Sequence, residues 1–397
     1  MDPKSVQALV VDDDAMIVAL LSAFLRRRGY QVRTASDGRA ALELLAQADA
    51  NLVLTDLDMP VLDGLGLARR LREMPGAGYR YCIMLTSMGN EASLVAAMEA
   101  GVDDFLPKPI RLPELGARLR AAERVIELEA TLLQRNRKLA DAYAQLEREL
   151  DLARALQLSQ LPRERELAGL SFEWIFEASS YVGGDTFDYY SLDERYHCFY
   201  LADVSGHGVA AAMMAVNTQH QLGAATQHAN AQVLRKGGSL EEAALLAVTD
   251  YNRRFLQMQE SSLYLTMAYG LVDTVERRAA LVQAGHPAPL WSARPGEPFV
   301  PVGEGGLPIG IVPEPDFEAR VVPLEPGSRI VLYSDGITDC RDESDAPYTF
   351  ERFEALLAQG RASTLQETGA AIRQSLVDWR GSTSFTDDIT FLALEMR

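Results

Sequence analysis

The chain has 397 residues, a formal net charge of -18 and 24% charged residues, a composition typical of a globular protein with two or three domains. The acidic charge and the lack of any sustained run of Lys and Arg argue against a general nucleic-acid binder. No apolar run approaches the roughly 18 residues of a membrane-spanning helix, and M-D-P-K-S-V does not begin a signal peptide. We therefore expect a cytoplasmic protein that binds neither nucleic acid nor membrane.

The first third of the chain, residues 6 to 120, alternates short apolar strands with amphipathic helices. The pattern predicts helices over Ala15–Arg28 and Gly38–Ala48, with further helices after the later strands. The predicted strands are Ala8–Val11, Val32–Thr34, Leu52–Thr55, Tyr81–Leu85 and Asp104–Leu106. This repetition predicts an α/β fold, a doubly wound parallel sheet with helices on both faces.

Polar side chains follow these strands at their carboxyl ends, where the chemistry of such sheets takes place. They are Asp12-Asp13-Asp14, Asp56, Thr86-Ser87 and Lys108-Pro109. Clustered carboxylates repel one another and need a divalent cation, and a hard cation such as Mg²⁺ suits oxygen ligands. A lysine and a hydroxyl nearby would hold phosphate oxygens. Each aspartate taken alone would more often be a turn residue or a helix N-cap, but the ordered set is far more specific.

Residues 6 to about 122 resemble the receiver domain of a two-component response regulator. The resemblance rests on V-V-D-D-D, L-T-D-L-D-M-P-V-L-D-G, M-L-T-S and F-L-P-K-P-I. It implies that Asp56 is the phosphoacceptor, that Thr86 and Lys108 contact the phosphoryl group, and that a sensor histidine kinase is a partner. The implied Mg²⁺ ligands are Asp12, Asp13 and the backbone carbonyl of Asp58.

A long helix is predicted from about Leu112 to Gln160, because this stretch has no Gly after Gly116 and no Pro before Pro162. Heptad spacing gives one row of Leu132, Leu139, Leu146 and Ala153 and a less regular row of Glu129, Asn136, Tyr143 and Leu150. A helix of this length has too few partners within one chain, so we expect a parallel coiled-coil homodimer. The alternative is a long helix that packs on its own domains.

Residues 165 to 397 are rich in strands, with helices grouped between them. The predicted strands are Ser171–Ala178, Tyr196–Ala202, Leu263–Val272, Arg278–Ala284, Arg329–Tyr333 and Ile389–Leu394. Helical patterns cover about 209–234, 240–257, 350–359 and 364–378. Adjacent strands with grouped helices predict an α+β domain, a β-sandwich covered by helices.

Acidic residues recur beside the predicted strands of this region, and glycines accompany several of them. They are Asp185, Asp203, Asp335, Asp387 and Asp388. A single aspartate next to glycine is more often a turn residue, but this many carboxylates brought together require cations. Their number suggests two divalent ions, which can clamp a phosphoryl group and activate water. His207 and His286 are weaker candidates, and no His-x-x-x-His pair suggests zinc.

Residues from about 150 to 397 resemble the metal-dependent protein phosphatases of the PPM family, in the SpoIIE/RsbU-like branch. The matching motifs are V-G-G-D-T-F-D, D-V-S-G-H-G-V-A-A-A-M-M, A-G-H-P-A-P-L, P-I-G, L-Y-S-D-G-I-T-D and T-D-D-I-T. The resemblance implies two Mn²⁺ or Mg²⁺ ions bridged by Asp203, and a metal-activated water as the nucleophile. The implied ligands are Asp185, Asp203, the carbonyl of Val204, Asp335 and Asp387, with Asp388 replacing or supporting Asp387. The run A-L-Q-L-S-Q-L-P resembles the helical switch segment that precedes such domains.

These observations predict a receiver domain over residues 1–122, a helical linker over 123–162 and a phosphatase domain over 163–397. The expected function is a response regulator in which phosphorylation of Asp56 controls a Ser/Thr protein phosphatase. The resemblance implies an anti-sigma-factor antagonist as the substrate. The alternative is a phosphatase-like adaptor that binds a regulatory protein without catalysis. A DNA-binding regulator is disfavoured, because the sequence offers no helix-turn-helix candidate and no basic surface.

Overall fold

The computed structural model describes residues 6–74, 78–87, 91–206, 208–223, 227–258, 263–360 and 363–397. The chain forms two compact units, Met1–Gln145 and Leu146–Arg397. The boundary between them falls inside one continuous helix, α5 (Leu112–Ser159), whose own bounds are close to the predicted Leu112 and Gln160. None of the helices in the described ranges combines the length and the apolar character that a membrane crossing requires.

The N-terminal unit is a five-stranded parallel sheet in the order β2-β1-β3-β4-β5. Its strands are β1 (Gln7–Val11), β2 (Gln31–Ala35), β3 (Leu52–Asp56), β4 (Tyr81–Thr86) and β5 (Asp104–Pro107). Its helices before α5 are α1 (Ala15–Arg27), α2 (Gly38–Gln47), α3 (Gly64–Glu73) and α4 (Glu91–Glu99). The strand and helix bounds lie within two residues of those predicted from the apolar runs.

Both faces of this sheet are covered by helices, as the sequence predicts. Leu52 and Leu54 pack on one face with residues of α1 and α5. Val53, which points the opposite way, packs with residues of α2, α3 and α4. The central strands β3 and β4 are buried along their whole length, which explains why they read as unbroken apolar runs.

The C-terminal unit contains two stacked sheets, with strand orders β14-β11-β10-β9-β8 and β13-β12-β15-β16-β7-β6. Its strands are β6 (Glu166–Leu167), β7 (Leu170–Glu177), β8 (Asp185–Ser191), β9 (Tyr196–Val204), β10 (Leu265–Asp273), β11 (Arg278–Ala284), β12 (Leu290–Ser292), β13 (Val300–Pro301), β14 (Ala319–Pro323), β15 (Arg329–Tyr333) and β16 (Ile389–Met396). Its helices are α6 (Val209–Gln221), α7 (Gln227–Arg235), α8 (Leu240–Met258), α9 (Asp335–Asp339), α10 (Phe350–Gln359) and α11 (Leu365–Arg380).

Three layers of apolar side chains hold this unit together. The middle layer joins the two sheets, for example Phe187 and Leu201 of the first sheet with Leu392 of the second. The outer layers lie between one sheet and α6 and α8, and between the other sheet and α9, α10 and α11. The predicted β-sandwich covered by helices is therefore confirmed.

The structure corrects four details of the sequence reading. The strand β8 was not predicted, because Asp185 and Asp188 interrupt its apolar alternation. The helical block over 209–234 is two helices, α6 and α7. The strand β9 continues past the expected end at Ala202 to Val204, which pairs with Leu265 of β10. The strands β6, β12 and β13 were also missed, since two or three residues carry no periodicity, and the five-residue β14 was missed because only one of its side chains is buried.

Candidate functional site

The first candidate site lies at the carboxyl ends of the parallel strands in the N-terminal unit. Asp12 and Asp13 follow β1, and Asp56 is the last residue of β3. One carboxylate oxygen from each of these three residues lies within 4.8 Å of the other two. Such a set of oxygen atoms suits one hard divalent cation, so the donor chemistry fits Mg²⁺.

Lys108 connects two of these carboxylates from the end of β5. Its Nζ lies 2.8 Å from Asp56 Oδ1 and 3.1 Å from Asp12 Oδ2. Burial raises the pKa of Asp56, an effect that Lys108 opposes and Asp12 reinforces. Burial alone would lower the pKa of Lys108, but its hydrogen bonds to the two carboxylates outweigh this and raise it. Lys108 is therefore a permanent cation beside the carboxylate predicted to accept a phosphoryl group.

Backbone contacts position the rest of this site. Thr86 ends β4, and its carbonyl accepts a hydrogen bond of 2.7 Å from the backbone N–H of Lys108. Glycine is needed at position 64 beside Asp56, because a Cβ on Gly64 would lie 2.2 Å from the carbonyl oxygen of Asp56. Asp58 lies in the bend two residues after Asp56, and the role of its carbonyl remains a prediction.

The second candidate site is assembled from both sheets of the C-terminal unit. Asp185 begins β8 and lies directly opposite Asp203 of β9 in the antiparallel pair. Asp335 begins α9 immediately after β15, and Asp387 with Asp388 precedes β16. The fold therefore brings all five predicted acids to one end of the sandwich.

These acids share one electrostatic environment. The pKa of Asp203 is raised to about 8, mainly by burial and next by the charges of Asp335 and Asp387. Burial, then the charges of Asp203 and Asp388, raises the pKa of Asp185. Burial and the charge of Asp387 also raise the pKa of Asp335. Such shifts arise where buried carboxylates repel one another, an arrangement that is common at functional sites.

The donor atoms fit divalent cations. Asp185 is 1% exposed, and its Oδ1 has no hydrogen-bond partner among the described residues. A buried carboxylate oxygen without a partner is costly unless a cation or water contacts it. Within the described ranges, three carboxylates meet inside 4.8 Å only at Asp12, Asp13 and Asp56, so the acids of the C-terminal unit are spread more widely.

The two adjacent acids, Asp387 and Asp388, have different surroundings. Asp388 Oδ1 accepts hydrogen bonds from the N–H and the hydroxyl of Ser179, at 2.7 and 2.9 Å. Asp388 Oδ2 accepts from the N–H groups of Gly184 and Asp185, at 2.6 and 3.3 Å. Asp387 instead caps the turn through a 2.8 Å bond from the N–H of Asp388, and its charge acts on Asp203 and Asp335.

Two hydroxyl residues that the sequence analysis did not single out also organise this site. The hydroxyl of Thr390 donates to Asp185 Oδ2. Ser334 Oγ donates to the carbonyl of Asp388 at 3.1 Å and accepts from the N–H of Thr390 at 2.9 Å, which ties β15 to β16. Gly336 permits this close approach, since a Cβ there would lie 2.1 Å from the Asp388 carbonyl oxygen. The sequence signal that could have identified them is their position, because Ser334 lies inside L-Y-S-D-G-I-T-D and Thr390 inside T-D-D-I-T.

Val204 and His286 lie beside the acids. A Cβ on Gly184 would lie 2.9 Å from the carbonyl oxygen of Val204, so this carbonyl packs against the loop that carries Asp185. His286 is 3% exposed, and its Nδ1 lies 2.8 Å from the hydroxyl of Thr266. Burial lowers the pKa of His286 to about 3, so this side chain is neutral. His207 lies outside the described residues.

The raised pKa values predict how stability depends on pH when no cation is bound. Because the pKa of Asp203 is about 8 in the folded chain, its protonated form contributes stability below about pH 4, the unfolded value, and loses it as the pH rises through about 8. With EDTA, we expect the C-terminal unit to have a lower Tm at about pH 8.5 than at about pH 6. Mn²⁺ at roughly 100 times its Kd should raise the Tm by about 5–10 °C, more at the higher pH.

Differential scanning calorimetry checks this pH dependence, with Asp203→Asn as the comparison. The asparagine does not titrate, so the Tm of this variant should vary less with pH in EDTA. A Tm of the metal-free wild type that stays level or rises between the two pH values would contradict the electrostatic description of the site.

Comparison with known proteins gives two family matches. The stage II sporulation protein E (SpoIIE) model matches residues 193–397, and the response regulator receiver domain model matches residues 8–120. The response regulator MprA of Mycolicibacterium vanbaalenii is 42% identical over 120 residues, 29% of this chain and 49% of that protein. The probable transcriptional regulator ycf27 of Guillardia theta is 41% identical over 118 residues, 30% of this chain and 45% of that protein. The chain thus spans about half the length of the curated relatives it matches.

Among solved structures, the SiaA-PP2C domain of Pseudomonas aeruginosa is similar to the C-terminal unit. It is 22% identical with a TM-score of 0.55, and the match covers 65% of this chain and 100% of that domain. At this identity the likeness establishes the fold, which agrees with the two sheets and flanking helices described above.

Proposed function

Since the chain belongs to the stage II sporulation protein E (SpoIIE) family and carries an N-terminal receiver domain, we propose that it is a response regulator whose phosphorylation at Asp56 controls a metal-dependent protein Ser/Thr phosphatase. One observation supports the catalytic part of this proposal most strongly. Asp185, Asp203, Asp335 and Asp387 converge from both sheets, and three of them have raised pKa values. Buried carboxylates that raise one another's pKa values are common at functional sites.

The proposed ligands of two Mn²⁺ or Mg²⁺ ions are Asp185, Asp203, Asp335, Asp387 and the carbonyl of Val204. Asp388 is better suited to support them, because both of its oxygens accept hydrogen bonds from Ser179, Gly184 and Asp185. Two divalent ions in this position would make water acidic enough to act as a nucleophile at neutral pH and would offset phosphate charge. In the receiver domain, Asp12, Asp13 and the Asp58 carbonyl are the proposed Mg²⁺ ligands.

Residues on the strands and turns around the two sites have specific roles in the proposed function. Asp203 is held on a paired strand opposite Asp185, so the two carboxylates have fixed relative positions. Gly206 and Gly208 have φ values of 93° and 84°, and a Cβ on either would meet no atom of the described residues within 4 Å, so we propose that a phosphorylated side chain approaches beside these two glycines. In the receiver domain, Lys108 is already paired with Asp56 and would retain the transferred phosphoryl group.

The proposed homodimer involves the heptad rows of α5. Leu132, Leu139, Tyr143 and Leu146 are 53%, 56%, 65% and 51% exposed within a single chain. Apolar side chains that repeat every seven residues along a helix and stay exposed fit a second copy of the same helix. We propose a parallel coiled-coil dimer through these rows.

Replacing Leu139 with Asp should convert this dimer into a monomer, since a charged group would be buried at the centre of the seam. Sedimentation equilibrium on the full chain measures the change in mass. Ala130→Asp is the control, because Ala130 is exposed and lies off the heptad rows. A monomeric wild type, or a dimer that survives Leu139→Asp, would contradict the proposal.

The proposed substrate is an anti-sigma-factor antagonist phosphorylated on serine or threonine, whose dephosphorylation would free it to bind its anti-sigma factor. This step follows from the family resemblance. The test is phosphate release from each phosphorylated antagonist of the same cell by the purified chain with Mn²⁺. Turnover of one antagonist supports the assignment, and antagonists that all stay phosphorylated would remove this substrate class.

A further inference from the structure

The loop that delivers Asp185 to the site is held from two sides. We call residues 178–184, between β7 and β8, the Asp185 loop. On the side of β16, Asp388 accepts hydrogen bonds from Ser179 and Gly184, as described above. The loop fits tightly against this carboxylate, because a Cβ on Gly183 would lie 2.6 Å from Asp388 Oδ2.

On the other side, Gln157 near the end of α5 forms two hydrogen bonds with the same loop. The side-chain Nε2 of Gln157 donates to the carbonyl of Gly183 at 2.8 Å. The N–H of Gly183 donates back to Gln157 Oε1 at 3.1 Å. Gln157 is 7% exposed, although most of α5 is exposed. A buried carboxamide that pairs with both the N–H and the C=O of one residue is an orientation-specific contact, because each unpaired group would cost free energy.

The same helix end also contacts α6, the helix that follows Asp203 along the chain. Gln219 of α6 donates from Nε2 to the carbonyl of Gln160 at 2.8 Å. Leu161 is 7% exposed and packs in the apolar layer between the sheets. A second contact between α5 and the Asp185 loop is exposed to solvent. The hydroxyl of Tyr181 donates a hydrogen bond of 3.2 Å to Glu147 Oε1.

We propose that Gln157 is a positioning residue, which holds Gly183 so that Asp185 meets Asp203 in the metal-binding arrangement. The inference rests on the proposed phosphatase function and adds a positioning residue to its metal site: without the contact of Gln157, the Asp185 loop is less firmly held and metal binding is weaker. Gly183 and Asp185 are two residues apart on a loop fixed by Asp388, so displacement at one is transmitted to the other. The carboxamide does not contact the acids themselves in any described interaction.

The test is Mn²⁺ binding by isothermal titration calorimetry on the full chain, in an Asp13→Asn background that removes the receiver site. The variants are Gln157→Ala and Gln157→Met, the second of which keeps the volume of the side chain and loses both hydrogen bonds. Residues that orient metal ligands typically contribute 10–100-fold to metal affinity, so we expect both variants to bind Mn²⁺ at least about 10-fold more weakly. Gln160→Met, at an exposed position on the same segment, should bind like the parent.

The outcomes separate this inference from the proposed function. Weak binding by Gln157→Met beside normal binding by Gln160→Met supports the positioning role, because a packing role would be rescued by methionine. Normal Mn²⁺ affinity in Gln157→Met, whatever its metal-free Tm, overturns the role of Gln157 alone. A parent chain whose C-terminal unit binds no Mn²⁺, and that matches Asp203→Ala in the titration, overturns the proposed function and this inference with it.

Discussion

Replacing Asp203 with Asn is expected to reduce phosphate release from a phosphoserine protein by about 1,000-fold or more. Asp203 pairs with Asp185 across β8 and β9 and interacts electrostatically with Asp335 and Asp387, so it is the carboxylate that we propose bridges two ions. Asparagine keeps the size of the side chain but removes the negative charge. The measurement is the initial rate of phosphate release by the full chain in saturating Mn²⁺.

The loss in Asp203→Asn should not come from unfolding. Because burial and neighbouring acids raise the pKa of Asp203 to about 8, the neutral asparagine removes repulsion from the metal-free protein. Its Tm in EDTA at about pH 8.5 should therefore equal or exceed that of the wild type. Asp316→Asn, at an exposed position, is the matched control and should keep full activity. Near-normal turnover by Asp203→Asn would contradict the assignment of the site.

Replacing Asp56 with Asn is expected to abolish phosphorylation of the receiver domain. Asp56 is the carboxylate that Lys108 holds at 2.8 Å, beside the oxygens of Asp12 and Asp13. The amide of asparagine cannot form the acyl phosphate. Incubation with acetyl phosphate and Mg²⁺, followed by intact-protein mass spectrometry, should show one added phosphoryl group in the wild type and none in the variant. The phosphatase rate of the variant should then no longer respond to acetyl phosphate.

The control for Asp56→Asn is Asp37→Asn. Asp37 is partly exposed and caps α2 by accepting hydrogen bonds from the N–H groups of Arg39 and Ala40. Asparagine is an equally good N-cap, so this variant should accept phosphate like the wild type. Phosphorylation that persists in Asp56→Asn would place the acceptor elsewhere and contradict the receiver assignment.

The fold was predictable where local patterns and burial agree. The strands β3 and β4 are buried on both faces, so their apolar runs identified a parallel sheet without further information. The strand β8 was missed because Asp185 and Asp188 lie within it, at positions where a predicted strand would carry apolar side chains. Functional acids at the start of a strand therefore obscured the strand that positions them.

The candidate site was predictable in its residue types and not in its contacts. Asp387 and Asp388 are identical and adjacent, so only the position of the Asp185 loop distinguishes the residue that accepts four hydrogen bonds. The contact of Gln157 with Gly183 joins residues 26 positions apart through a helix end and a loop. No periodicity or motif encodes such a pairing, because it depends on how the helix end packs against the sandwich.

The central claim is that one chain couples receiver phosphorylation to a metal-dependent phosphatase. Its most direct test is phosphate release from a phosphoserine protein by the full-length wild type, with and without Mn²⁺, before and after treatment with acetyl phosphate. The account predicts release that requires Mn²⁺, disappears in Asp203→Asn and changes several-fold when Asp56 is phosphorylated. Absence of Mn²⁺-dependent release in both phosphorylation states, across a range of phosphoprotein substrates, would contradict it and favour a phosphatase-like adaptor.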